Sequence, residues 1–334
     1  MAGWLASLLR PERLFDPWAV RYLEKGCRAG ALEAPADAPE YAMELLMERI
    51  RELMPEIRRL GWKETGFTPR TMADGFPELA VYLLRIRRGL KRSYLSLPEN
   101  RGLERAFADD AFVAELKTRA RDLGISALGF CRVNPRYVLR GRYVLYPNAI
   151  VCLQEMKRCE METAPGHPAA LETMRVYANL GRAMNELVDW MRSRGVAAQA
   201  GHPFGGLALY PALAADAGLG YRCRTGLLVT PQFGQLQRIG AIYTPDENLP
   251  FAGANEHEWV LEYCDSCDAC IRACPGDAIL ERAVPNVEGI VTSIDNDRCF
   301  PWFALKGGCS VCIKVCPFSR GQYESLRQTS QDGV

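Results

Sequence analysis

The chain has 334 residues with an ordinary balance of apolar (48%) and charged (24%) side chains and a net charge of +1. That composition suits a globular protein with room for one large core and a smaller module, and excludes disordered, collagenous and disulfide-scaffold classes. Near-neutral charge gives no electrostatic footprint for nucleic acid, and no apolar run is long enough to span a bilayer. Neither a secretory leader nor a twin-arginine pair stands near Met1, so a cytoplasmic location is expected.

Leu46, Ile50, Leu53, Ile57 and Leu60 recur at steps of three and four, which predicts an amphipathic helix over 39–61 with a blemish at Pro55. A loop at 61–69 precedes a second helix at about 74–93. Residues 1–110 carry no chemical motif, and packing is their expected role. From 111 the pattern alternates. A helix over 111–123 leads to an apolar run at 125–133, and a strand over 149–153 to a Pro- and Gly-bearing loop at 157–169. A long helix over 170–194, a loop at 201–206 and a helix over 209–217 follow. Two strands are expected at 226–230 and 239–244, then a linker at 245–262. Interleaved strands and helices predict a layered α/β (α+β) domain. The expected divisions are 1–110 (helical), 111–260 (α/β), 261–322 (cysteine module) and 323–334 (polar tail).

Thirteen cysteines are present, eight of them between Cys264 and Cys316. Clustering of this kind points to metal rather than to a disulfide framework. The first motif is Cys264-x2-Cys267-x2-Cys270-x3-Cys274-Pro275, and the second is Cys299-x9-Cys309-x2-Cys312-x3-Cys316-Pro317. Two-residue gaps let one turn of backbone aim successive thiolates at one iron–sulfur cube, and the proline ends the helix after the last ligand. In two-cluster ferredoxins the fourth cysteine of each motif crosses to the other cube. On that rule one [4Fe-4S] cluster takes Cys264, Cys267, Cys270 and Cys316, and the other Cys299, Cys309, Cys312 and Cys274. Zinc is the competing reading, but it gains nothing from a third closely spaced cysteine and a Cys-Pro. Cys27, Cys131, Cys152, Cys159 and Cys223 are scattered and read as small apolar residues.

Beyond the cysteines, several stretches carry a resemblance. They are Arg192-Ser-Arg-Gly195, Ala217-Gly-Leu-Gly220, Arg224-Thr-Gly-Leu-Leu-Val-Thr-Pro-Gln-Phe-Gly234, Arg238, Thr244, and Trp302 inside the long gap of the second motif. From about 170 to 317 the chain resembles the catalytic subunit of corrinoid-dependent reductive dehalogenases, and more distantly epoxyqueuosine reductase. The resemblance implies a cobalamin held base-off in a nitroreductase-like domain, with a C-terminal ferredoxin-like module as its electron source. It implies an oxidoreductase that cleaves a carbon–halogen or similar bond of a small-molecule substrate through reduced cobalt. The electron donor would be a ferredoxin, a flavodoxin or a reductase. Methyl or alkyl transfer, epoxyqueuosine-like chemistry and a non-enzymatic electron carrier remain open as alternatives.

No Asp-x-His-x-x-Gly motif offers cobalt a lower histidine ligand. His167, His202 and His257 all lie in loop-like contexts and are expected to be exposed. The resemblance places a proton-donating tyrosine at Tyr177 and a pocket arginine at Arg238, with Arg175 a weaker candidate. Tyr177 also lies on a stripe with Leu180, Met184, Leu187 and Met191, so plain core is an equal reading of it. Gly226, Thr230, Pro231, Phe233 and Gly234 are candidate corrinoid contacts, since glycine lets backbone approach a ligand closely.

Overall fold

The computed structural model describes residues 31–35, 69–103, 108–285, 291–306 and 308–332. The helix expected over 39–61 lies outside them. At the centre is a four-stranded sheet in the order β2 (Ala127–Arg132), β4 (Asn148–Glu155), β8 (Gln237–Thr244), β5 (Gln199–Gly201), with every pair antiparallel. The domain is therefore α+β rather than a parallel α/β layer. Two short strands, β1 (Leu32–Glu33) and β3 (Tyr143–Val144), pair separately.

β4 reads as an unbroken apolar run because both faces of the sheet are covered. Ile150 and Cys152 face a core built with Leu180, Met184, Leu187 and Met191 of α4 (His167–Ser193) and Phe112 and Leu116 of α2 (Asp110–Asp122). Ala149, Val151 and Leu153 face the opposite core, filled by Leu213 and Ala214 of α5 (Tyr210–Asp216). The alternation follows from the two-residue period of a strand. α2 starts where the Asp109 carboxylate accepts the Phe112 N–H at 2.7 Å, a standard N-cap.

α1 (Pro69–Leu95) lies against α4. Asn185 Nδ2 donates to the carbonyls of Gly89 (3.1 Å) and Gly181 (2.9 Å), and Ser93 Oγ donates to Asn185 Oδ1 at 3.2 Å. The imidazole of His202 fills the space over the two glycines, so that a Cβ on Gly181 would fall 1.9 Å from its Nε2. His202 is thus buried at 3% exposure, not an exposed loop residue. The loop that carries it turns inward to plug the α1–α4 junction.

Burial lowers the His202 pKa to about 3. Nδ1 accepts the Phe204 N–H at 3.1 Å, so the proton of the neutral ring sits on Nε2. An unfolded histidine titrates near about 6.5. Below that pH the unfolded chain binds a proton that the native state refuses, so stability is full above about pH 6.5 and declines towards pH 3. His202→Gln is expected to flatten the fall in urea midpoint between about pH 7.5 and 5.5 relative to the parent.

Two expected irregular stretches contain helix. The 157–169 segment holds the short α3 (Arg158–Met161) and the first residues of α4, where His167 sits ahead of Pro168 in the opening turn. The 245–262 linker ends in α6 (Trp259–Ser266), and the strand expected over 226–230 shrinks to β7 (Leu228–Val229), paired with β6 (Tyr221–Arg222). The cysteine segment follows as α7 (Ala269–Ala273), the hairpin β9 (Ile279–Pro285) and β10 (Val291–Ile294), α8 (Asn296–Leu305) and α9 (Val311–Val315). The polar tail is helical as α10 (Tyr323–Asp332), and buried Tyr323 packs 5.0 Å from Trp259, centroid to centroid. The Tyr323 hydroxyl lies 2.7 Å from Nδ1 of His257, which is therefore half-buried and engaged rather than exposed. Among the described residues no helix is long and apolar enough to cross a membrane.

Candidate iron–sulfur and redox site

The cysteine motifs fold into two groups. Cys264 on α6, Cys267 just after it and Cys270 on α7 meet Cys316 from beyond α9 around a common space. The thiol of Cys299 has Cys274 and Cys309 among its neighbours, and that of Cys312 is influenced first by Cys309 and Cys299 and then by Cys270 and Cys274. Both fourth cysteines thus stand with the other motif. Among the described residues no three Cys, His, Asp or Glu side chains close tightly enough to share a single metal ion. Burial pushes the thiols of Cys264 and Cys312 up to about 12 and that of Cys299 to about 11. Thiolates in such surroundings need bound cations, and metal loading must expel their protons.

The α+β domain grips this module through the segment 223–235. The guanidinium of Arg224, 8% exposed, donates to the Cys264 carbonyl through Nη2 (2.7 Å) and Nε (3.2 Å), to the carbonyls of Leu280 and Glu281, and to Asp265. Arg224 stood in the Arg-Thr-Gly run, but nothing in its spacing marked it as the clamp. Thr230 Oγ1 accepts the Phe233 N–H at 3.1 Å, and Thr230 and Gly234 exchange backbone hydrogen bonds at 2.9 Å, closing 230–234 into a tight turn. Gly234 has φ +57°, and a Cβ there would fall 2.3 Å from the Phe318 carbonyl oxygen. Its missing side chain therefore lets the turn meet the backbone that follows Cys316. Gly226 sits exposed in the β6–β7 turn, while Pro231 and Phe233 keep partly exposed surfaces.

Tyr177 and Arg238 come from α4 and β8, and the packing of helix on sheet brings them together. The Arg238 guanidinium carbon lies 4.9 Å from the centroid of the Tyr177 ring, a cation–π arrangement. Arg238 Nη2 donates to Thr173 Oγ1 at 3.1 Å, one turn before Tyr177, while its Nε is buried with no partner. Phe204 meets the Tyr177 ring edge-on at 5.3 Å. Tyr177 is half-buried, whereas Leu180, Met184, Leu187 and Met191 are sealed in the main core. Arg175 is spent on a two-pronged ion pair with Glu172, at 2.6 and 2.7 Å. Cys312 packs against the apolar cluster that includes Val176, the residue before Tyr177.

Residues 263–319 match the family model of the 4Fe-4S dicluster domain. All eight motif cysteines fall inside that span, and the segment carries two [4Fe-4S] clusters. The chain is 32% identical over 188 residues to tetrachloroethene reductive dehalogenase of Sulfurospirillum multivorans, an alignment covering 52% of this chain and 36% of that protein. Over about half of its length the chain is similar to a reductive dehalogenase. A tetrachloroethene reductive dehalogenase of Desulfitobacterium hafniense is 29% identical over 192 residues, covering 52% of this chain and 33% of the other. Epoxyqueuosine reductase of Listeria monocytogenes is 29% identical over 117 residues, or 33% of this chain and 29% of that enzyme. The chain thus spans about a third of the length of these curated relatives. A catabolic reductive dehalogenase solved with 3-bromo-4-hydroxybenzoic acid superposes at a TM-score of 0.60 with 17% identity, over 92% of this chain and 46% of its own. This likeness shows that the reductive dehalogenase fold is shared.

Proposed function

We propose that the chain is a cobalamin- and iron–sulfur-dependent reductase that cleaves a carbon–halogen or similar leaving-group bond in a small organic molecule. The observation that carries the reading is the Tyr177–Arg238 pair, formed where α4 packs on β8. Cys264, Cys267, Cys270 and Cys316 line one common space and would hold one cluster. Cys274, Cys299, Cys309 and Cys312 would hold the other. For the corrinoid, the fit lies in the buried, unpartnered Nε of Arg238 beside a half-buried phenol. Pro231, Phe233 and Gly226 offer it exposed surface, while Thr230 and Gly234 hold the turn in shape.

Cobalamin, when bound, supplies the reduced cobalt that breaks the bond to the leaving group. Tyr177 delivers the proton of its Oη to the carbon. Arg238 keeps a positive charge over the ring, which favours the phenolate left behind, and Thr173 fixes the guanidinium. Electrons would reach the clusters from a ferredoxin, a flavodoxin or a reductase.

Anaerobic reconstitution with iron, sulfide and hydroxocobalamin, followed by gel filtration, tests the reading. Corrinoid absorbance is expected to elute with the protein in about equal amount to the chain. Elution of clusters alone would leave an iron–sulfur electron carrier in place of a reductase. Halide release from tetrachloroethene and from 3-bromo-4-hydroxybenzoic acid would then probe turnover.

A further inference from the structure

Three side chains that can hydrogen-bond stand on the wall that the α+β domain turns towards the Cys264–Cys316 space. Cys223, Thr225 and Gln235 line it and are buried, at 5%, 8% and 3% exposure. They form a chain. Cys223 Sγ lies 3.1 Å from Thr225 Oγ1, and its thiol also reaches the Leu227 carbonyl at 3.3 Å. Thr225 Oγ1 donates to Gln235 Oε1 at 3.1 Å, and the backbone N–H of Gln235 donates to Ser319 Oγ at 3.3 Å. The Gln235 amide oxygen is taken and its backbone is tied to the turn after Cys316, so its side-chain nitrogen is the donor left on a wall that it shares with Cys316. A buried carboxamide with no acceptor would be costly, so the thiolate is its natural partner.

We infer that the Gln235 carboxamide, held by Thr225 and Cys223, is a positioning residue that sets the reduction potential of the cluster ligated by Cys264, Cys267, Cys270 and Cys316. The inference rests on the ligand sets proposed above. Each reduction adds one electron to the cube and negative charge to its thiolate ligands. A hydrogen bond donated to such a sulfur strengthens as that charge grows, so it favours the reduced state and raises the potential. In the second group the donor to Cys274 is a backbone amide, that of Ala278 at 3.3 Å. Gln235 lines the space of the Cys264–Cys316 group, so its effect falls on that cluster and separates the two potentials.

The test uses the full chain, reconstituted anaerobically with iron and sulfide, titrated with dithionite and followed by electron paramagnetic resonance. Gln235→Leu is expected to keep its iron-to-protein ratio and to move one midpoint to more negative potential, with the other unchanged. At the parent midpoint the reduced-to-oxidised ratio of that cluster should fall by about tenfold, which is ~59 mV for one electron. Thr225→Val, which keeps the amide and loses its anchor, should shift the same cluster in the same direction by less. Cys316→Ser and Cys264→Ser identify the cluster concerned. Unchanged midpoints in an iron-replete Gln235→Leu protein would overturn the relay, and where that variant loads iron poorly the same result in Thr225→Val would do so. If Cys316→Ser and Cys264→Ser disturb different clusters, the ligand sets fail and the relay falls with them.

Discussion

Serine at Cys316 and serine at Cys264 are expected to leave the same residual cluster, and serine at Cys312 to leave the other. Each variant should lose roughly half of the iron, since a cube held by three thiolates is readily lost. The expectation comes from the crossing of the chain. Cys312 and Cys316 are four residues apart on one motif, yet Cys316 opens on the space ringed by Cys264, Cys267 and Cys270, whereas Cys312 neighbours Cys299 and Cys309. The turn after α9 and the hydrogen bond from the Ser319 N–H to the Cys316 carbonyl at 3.0 Å hold that divergence. Paramagnetic resonance of the three reduced variants, with iron analysis, is the measurement. Matching residual spectra for Cys316→Ser and Cys312→Ser would mean that each motif fills its own cube, and the crossed assignment would be wrong.

The cysteine groups were legible in the sequence because their geometry is local. Two-residue gaps and a following proline fix where three sulfurs of each motif point, whatever the rest of the chain does. β4 and α4 were legible for the same reason, their apolar period being set by their own residues. The antiparallel order of the sheet was not, because strand direction depends on where β8 and β5 return, and interleaved helices suggest the parallel alternative equally well. His202 was misjudged from its Gly- and Pro-rich flanks. Those flanks let the loop dive between Gly89 and Gly181, and nothing near position 202 announces glycines on two other helices. The roles of Arg224 and Gln235 escaped notice because their partners, the Cys264 carbonyl and the Ser319 hydroxyl, belong to the module they clamp. Tyr177 and Arg238 were separately assigned from the resemblance, and only the packing of α4 on β8 shows that they touch.

That contact makes Tyr177→Phe the sharpest test of the chemistry. The substitution removes one oxygen and keeps the ring that packs edge-on against Phe204 and under Arg238. A tyrosine serving only as core would tolerate it. Iron content, corrinoid retention and urea midpoint should all stay at parent values, while halide release from the halogenated probes should fall by roughly 100- to 10,000-fold, the range that a positioned acid contributes. Arg238→Gln should show a smaller loss, because the phenol keeps its proton and loses only the charge that favours giving it up. The arrangement separates these outcomes well. Tyr177 is half-buried, outside the sealed stripe of Leu180, Met184 and Leu187, so its hydroxyl does not carry the core. Full turnover in the phenylalanine variant would place the proton source elsewhere and return Tyr177 to packing. Loss of turnover together with loss of corrinoid would make it a binding residue instead.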